Sequence, residues 1–111
     1  MRHWEKIHTD VVDGFDVALY VAPEEDDPAD HFDDAETVQD IHEGRLDWFV
    51  AKVSASKHGV VLADDYLGAC CYESTNAFIK DPYYIEMVQN VIIDAKAMIK
   101  KLQGENCESK C

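Results

Sequence analysis

Leu46–Tyr72 reads LDWFVAKVSASKHGVVLADDYLGACCY and contains the strongest β pattern of the chain. Within Phe49–Ala55 every second residue is apolar, which places these side chains on one face of a strand. A turn at residues 57–59 interrupts the pattern. Val60–Tyr72 then forms a longer partner strand, in which Gly68 indicates a bulge or bend. The segment therefore predicts two antiparallel strands.

A second strand pair is predicted at the N-terminus. Asp13-Gly14 lies between two apolar-rich runs, Trp4–Val12 and Phe15–Ala22. Asp-Gly in this context is a strong signal for a two-residue hairpin, because a type I′ turn needs positive φ at both central positions. Pro23 ends the second strand, since proline cannot donate to a strand ladder.

A long helix is predicted after the second strand pair. Asp81-Pro82 opens it, with an acid at the cap and proline at the first helical position. We expect it to stop at Gly104. Its apolar residues recur at steps of three and four, as in an amphipathic helix that covers a sheet. They are Tyr84, Ile85, Val88, Val91, Ile92, Ala95, Met98, Ile99 and Leu102.

The element order ββαββα predicts an α+β fold with two layers. A mostly antiparallel, four-stranded sheet would carry the long C-terminal helix on one face. Residues 1–104 would form a single domain and residues 105–111 a polar tail with Cys107 and Cys111. One helical layer leaves the other sheet face uncovered, so a homodimer through the sheet is a further expectation.

Charge is the chain's most unusual property. The 111 residues carry a net charge of −13, from 23 acids against 10 lysines and arginines. Residues 24–43, called the acidic segment below, hold ten of the acids and no lysine or arginine. This balance argues against direct binding of nucleic acid or of an anionic membrane, and it favours a basic partner. The alternative is that the acids form only a solvated face that keeps the protein soluble.

The second half of the acidic segment has the pattern of a short helix. Asp33 or Asp34 would cap it, and Gly44 would end it. Acids along one side follow at one-turn spacing, about 5–6 Å, which is similar to the spacing of phosphates along a strand. The side consists of Asp33, Glu36, Asp40 and Glu43.

This pattern predicts a small acidic inhibitor that mimics nucleic acid and blocks a nucleic-acid-binding host enzyme. In charge and size the chain is similar to phage inhibitors of the anti-restriction and anti-CRISPR type. The expected partner is a basic protein surface, and the expected location is a cytoplasm, that of the host if the protein is viral. The predicted partner-binding residues are Glu24, Glu25, Asp26, Asp27, Asp30, Asp33, Glu36, Asp40 and Glu43.

Metal sites have weaker support. A calcium site within Asp26–Glu36 lacks the glycine and the final glutamate of an EF-hand loop. Transition-metal ligands are available in the same segment, but no spacing rule selects them. Four cysteines have a spacing that is unusual for zinc. We therefore expect no metal and no cofactor. The residues considered are Asp30, His31, Asp33 and Asp34 for a transition metal, and Cys70, Cys71, Cys107 and Cys111 for zinc.

Catalysis is an alternative from another functional class. Cys70 or Cys71, with His58 and with Asp64 or Asp65, has the residue types of a thiol nucleophile, its base and an orienting carboxylate. No recognised catalytic motif accompanies them. We therefore expect a protein that is not an enzyme. A homo-oligomeric accessory protein without mimicry is the remaining alternative.

Overall fold

The computed structural model describes residues 3–108, and it describes side chains through residue 103. The chain folds into one four-stranded antiparallel sheet with a long helix packed on it, which confirms the predicted α+β class. The order of elements is ββαββα, with one additional helical turn before the last helix. The elements are β1 (Glu5–Val12), β2 (Phe15–Pro23), α1 (Ala35–His42), β3 (Asp47–Lys57), β4 (Val60–Tyr72), α2 (Thr75–Ile79) and α3 (Pro82–Glu108). A 3₁₀ turn at Pro28–Asp30 precedes α1.

The strands lie in the order β1-β2-β3-β4 and are joined by two tight turns at one end of the sheet. Asp13 and Gly14 have φ of 52° and 83°, and His58 and Gly59 have φ of 53° and 79°. Both turns therefore have the positive φ at two central positions that a type I′ hairpin requires. The opposite end of the sheet carries the acidic segment and α2.

The core lies between α3 and one face of the sheet. Alternate residues of β2 and β3 are buried on that face, as the period-two pattern predicts. α3 packs against β3 and β4. The buried residues are Phe15, Val17, Leu19 and Val21 from β2, Phe49, Ala51, Val53 and Ala55 from β3, and Tyr84, Met87, Val91, Ile92 and Ala95 from α3.

Phe78 closes the end of this core beside the acidic segment. Its side chain is fully buried, and its ring centroid lies 5.2 Å from that of Tyr72, 5.8 Å from Phe49 and 5.9 Å from Tyr84. The single-turn helix α2 places it there, with the Ser74 hydroxyl accepting from the backbone N–H of Ala77 at 3.1 Å as an N-cap.

The predicted end of the last helix is wrong. α3 continues through Gly104 to Glu108, because one glycine inside a helix costs only about 1 kcal/mol and the bonded turns around it offset that cost. The predicted bulge at Gly68 is confirmed, since the register shifts between Leu67 and Cys70, and the positive φ of 55° in it belongs to Ala69. The predicted stripe of α3 also extends beyond the sheet, since Met98 and Leu102 are exposed.

None of the helices within residues 3–108 has the length and hydropathy needed to span a bilayer.

Candidate partner-binding surface

Trp48 holds the first half of the acidic segment against the sheet. Its indole N–H donates a 2.9 Å hydrogen bond to the carbonyl oxygen of Asp26, and its own carbonyl accepts from the N–H of Glu24 at 3.4 Å. The rings of His31 and Phe32 meet the indole edge to face, with centroids 5.4 and 5.8 Å away. A loop rich in like charges therefore takes a defined path across the end of β3.

Two of the acids shape the backbone. Asp27 caps the 3₁₀ turn by accepting from the N–H of Ala29 at 3.0 Å. Asp34 caps α1 by accepting from the N–H of Glu36 at 3.0 Å and from the hydroxyl of Thr37 at 2.8 Å. These hydrogen bonds, first the one from Thr37, lower the pKa of Asp34, because they stabilise the carboxylate.

Arg45 compensates the charge at the end of α1. Its guanidinium lies 2.6 Å from the Oδ1 of Asp40 and also pairs with the carboxylate of Glu43. These carboxylates, Asp40 first, raise the pKa of Arg45. The predicted helical row of four acids is wrong in part, because Asp34 caps α1 after Asp33 and Glu43 is its C-cap, which leaves only Glu36 and Asp40 within the helix. Asp33 and Glu36 are exposed, whereas Arg45 bridges Asp40 and Glu43.

Four acids of the segment remain open to a partner. They are exposed, and within residues 3–103 the structure gives their carboxylates neither a hydrogen bond nor an ion pair. They are Glu25, Asp30, Asp33 and Glu36. Among the predicted partner-binding residues, Asp26 contacts His31, with 3.4 Å between its Oδ2 and the Nε2 of the imidazole.

An apolar groove lies between the 3₁₀ turn and α1. Its volume is about 510 Å³, and Asp33 and His42 contribute polar groups to its wall. α1 has no fully buried residue, so its apolar side is only half covered by the rest of the chain. The surface therefore offers carboxylates together with an apolar contact. The apolar residues that line the groove are Ala29, Phe32, Ala35 and Val38.

One cluster within the described residues has the donor types of a metal site. A nitrogen of His31 and carboxylate oxygens of Glu24 and Asp26 all lie within 4.8 Å of one another. Of the four residues that sequence considerations selected for a transition metal, only His31 belongs to this cluster. The cluster is largely exposed, and exposed carboxylates at such distances are common without a metal. It therefore carries no metal function by itself.

The residues of the catalytic alternative do not converge. Cys70 pairs with Phe49 near one end of β4, whereas His58 lies in the turn at the other end, ten or more residues along a strand that rises about 3.3 Å per residue. Asp64 and Asp65 are neighbours on a strand and therefore point to opposite faces of the sheet. No base or orienting carboxylate from this set reaches the thiol.

The described cysteines have the properties of structural residues. Cys70 is buried in the core, and burial raises the pKa of its thiol to about 12, so it is neutral near pH 7. Burial also raises the pKa of Cys71, which faces the other way. Both are free thiols. The side chain of Cys107 and the whole of Cys111 lie outside the described residues.

Sequence patterns did not reveal three features of this surface. They are the anchoring by Trp48, the groove and the bridging by Arg45. Of these features, only the bridging by Arg45 has a signal in the sequence. Arg45 is the first lysine or arginine after ten acids, and it follows Asp40 by five residues, about one and a half helical turns. The anchor joins residues 22 positions apart, which no local pattern predicts.

With this geometry defined, the chain was compared with known proteins. No protein-family model, curated protein or solved structure matches it. Any functional conclusion therefore rests on the chain's own residues.

Proposed function

We propose that this protein binds a basic surface of another protein through the acidic segment and takes the place of a nucleic-acid backbone there. The observation that carries the proposal is that four exposed carboxylates, which have no hydrogen bond or ion pair within residues 3–103, share an anchored segment with an apolar groove. The partner class is a nucleic-acid-binding enzyme of a host, such as a restriction or CRISPR nuclease, with the protein acting as its inhibitor.

The charge distribution supports this choice of partner. Enzymes that bind nucleic acid present rows of Lys and Arg to the phosphates. Asp33 precedes the cap residue Asp34 and Glu36 lies in the first turn of α1, so these two open carboxylates lie at the same end of the helix. A net charge of −13 also steers a basic partner toward the protein over distances of about a Debye length.

The anchoring of the acidic segment by Trp48 favours tight binding, in addition to the electrostatic steering of a basic partner. A flexible acidic tail loses conformational entropy when it binds, whereas a segment already held by Trp48 loses less. The groove between the 3₁₀ turn and α1 adds room for an apolar side chain of the partner. Charge complementarity alone contributes mainly to association rate, so an apolar anchor is what would prolong the complex.

The test compares two triple variants of equal net charge. The first, D30N/D33N/E36Q, neutralises open acids and leaves the capping residues Asp27 and Asp34 intact. The second, E73Q/E86Q/D94N, neutralises three exposed acids outside the segment. Tagged wild-type protein and both variants are used to capture proteins from host lysate at low and high salt. Each captured enzyme is then purified and challenged with its own nucleic acid.

The proposal expects capture of a nucleic-acid-binding enzyme by the wild type and by the second variant, reduced capture by the first, and release by nucleic acid. Equal loss of capture in the two variants would mean that only net charge matters. Binding that nucleic acid does not displace would exclude mimicry while retaining a protein-binding function.

A further inference from the structure

The face of the sheet opposite α3, called the open face below, has an ordered arrangement of residues. Ala22 and Val50 are buried at the end of this face next to the acidic segment, and the ring of Trp4 lies over the face at Lys52 and Tyr66. The long helix α3 packs on the other face. The strand register aligns the rest of this face into three rows across β1, β2, β3 and β4, in which Ser54 is buried and the other side chains are exposed or half-buried. The first row is Lys6, Tyr20, Lys52 and Tyr66; the middle row is Thr9, Ala18, Ser54 and Asp64; the third row is Val11, Asp16, Ser56 and Val61.

The first row is cationic and aromatic. The Nζ of Lys52 lies 4.7 Å from the ring centroid of Tyr20 and 4.8 Å from that of Trp4, and the Nζ of Lys6 lies 5.7 Å from Tyr20. The Trp4 ring also contacts Tyr66, with centroids 6.0 Å apart. Two positive charges and three aromatic rings are therefore concentrated at one end of the open face.

The third row has the complementary character. Asp16 is exposed between Val11 and Ser56, and Val61 closes the row on the edge strand. Val11 and Val61 are 67% and 58% exposed, and Tyr66 in the first row is 56% exposed. Large apolar side chains with this exposure are candidates for burial by a partner surface.

We propose that two copies of this chain associate through their open faces, about a two-fold axis that runs along the middle row. This axis lays the first row of one copy on the third row of the other. Lys6 and Lys52 then flank Asp16 of the second copy, and Tyr66 covers its Val61. The arrangement is isologous, so each favourable contact occurs twice.

Charge selects this axis over the alternative parallel to the strands. An axis parallel to the strands would place the first row of one copy on the first row of the other. The four lysines of the two copies would then lie close together. It would also bring the two acidic segments to the same end of the dimer. The proposed axis places the segments at opposite ends, where their repulsion is weakest and where both remain accessible to other partners.

The area available fits a weak dimer. Four strands spaced about 4.8 Å apart and three rows spaced about 6.6 Å apart cover roughly 400 Å² on each copy before side-chain relief is counted. Side chains that project from each face add to this flat area. With them, the area buried on the two copies together is about 1,000 Å², the lower limit for a specific interface. Dissociation is therefore expected within the concentration range of analytical ultracentrifugation.

The proposed axis makes an unusual prediction for two acids of the same face. Asp64 lies in the middle row and faces Asp64 of the second copy, so its charge opposes association. Asp16 faces lysines, so its charge favours association. The variants Asp16→Asn and Asp64→Asn change net charge equally at exposed positions, and we expect opposite effects on the dimer.

Sedimentation equilibrium of the full chain, with reductant to prevent cysteine cross-links, tests this directly. We expect the wild-type mass to rise from 12.6 kDa toward twice that value with concentration. Asp16→Asn should weaken association about fivefold, and Asp64→Asn should strengthen it about twofold, as expected for partly exposed charge pairs. A mass of 12.6 kDa at all concentrations, or a change of the same sign in both variants, would overturn the proposal.

Discussion

The indole N–H of Trp48 donates a 2.9 Å hydrogen bond to the carbonyl oxygen of Asp26, and this bond fixes the acidic segment to the sheet. The donor, Trp48, is the second residue of β3 and is next to the core residue Phe49. The hydrogen bond therefore attaches the acidic segment to a rigid part of the sheet. Its acceptor lies one residue before the acid that caps the 3₁₀ turn. The position of the carboxylates therefore depends on a contact between distant parts of the sequence.

Trp48→Phe removes this donor and keeps an aromatic ring. We expect a loss of about 1 kcal/mol of local stability, because an intramolecular hydrogen bond contributes about that much. Amide exchange of residues 24–32 should become about fivefold faster, while exchange in the paired strands β2 and β3 should not change. Unchanged exchange in residues 24–32 would show that other contacts hold the segment.

Arg45→Gln should make the acidic segment a better ligand for a polycation. Asp40 and Glu43 lose their bridging cation and become available to an external one. An octalysine peptide, titrated at low salt and followed by calorimetry, should bind more tightly than to the wild type. Lys100→Gln, an equal charge change at the far end of α3, is the matched control. The same gain in both variants would mean that the peptide responds to net charge and not to this segment.

The contrast between sheet and surface explains how much the sequence predicts. Alternation in β2 and β3 and the turn residues Asp13-Gly14 are local signals, because period two and positive φ are properties of neighbouring residues. They predicted the two strand pairs, the turns that join them and which residues share a face of each strand. The end of α3 at Gly104 was predicted wrongly, since a stop signal competes with the helix on both sides of it.

The candidate surface is predicted only in composition. Residues 24–43 are recognisably acidic in sequence, but which carboxylates remain open depends on Arg45 and His31. The rows of the open face likewise need the register across four strands, and two of the three register shifts in the sheet lie between these rows. A local pattern cannot contain either relationship.

Phe78→Ala should cost about 3–5 kcal/mol of unfolding free energy, because a fully buried aromatic ring leaves a cavity among Phe49, Tyr72 and Tyr84. Urea unfolding followed by circular dichroism measures the change. Tyr83→Ala, which removes a ring that is 58% exposed, should shift the free energy by only about 0.5 kcal/mol. Similar losses in the two variants would contradict the assignment of Phe78 to the core.

Stability should fall as the pH rises above 9, and Cys70 should account for part of the fall. Burial raises the pKa of this thiol from 9.0 to about 12, so the unfolded chain loses the proton first and gains stability relative to the folded chain. The contribution of Cys70 is therefore complete below pH 9 and declines by up to about 1.4 kcal/mol per pH unit between pH 9 and 12.

Urea unfolding under reducing conditions at pH 8, 9 and 10 measures the slope. Cys70→Ala should be less stable at pH 8 but should show a shallower decline, since among the described residues the raised pKa values of Cys71 and of tyrosines such as Tyr84 remain. Parallel slopes for the two proteins would show that Cys70 ionises as easily in the folded chain as in the unfolded one.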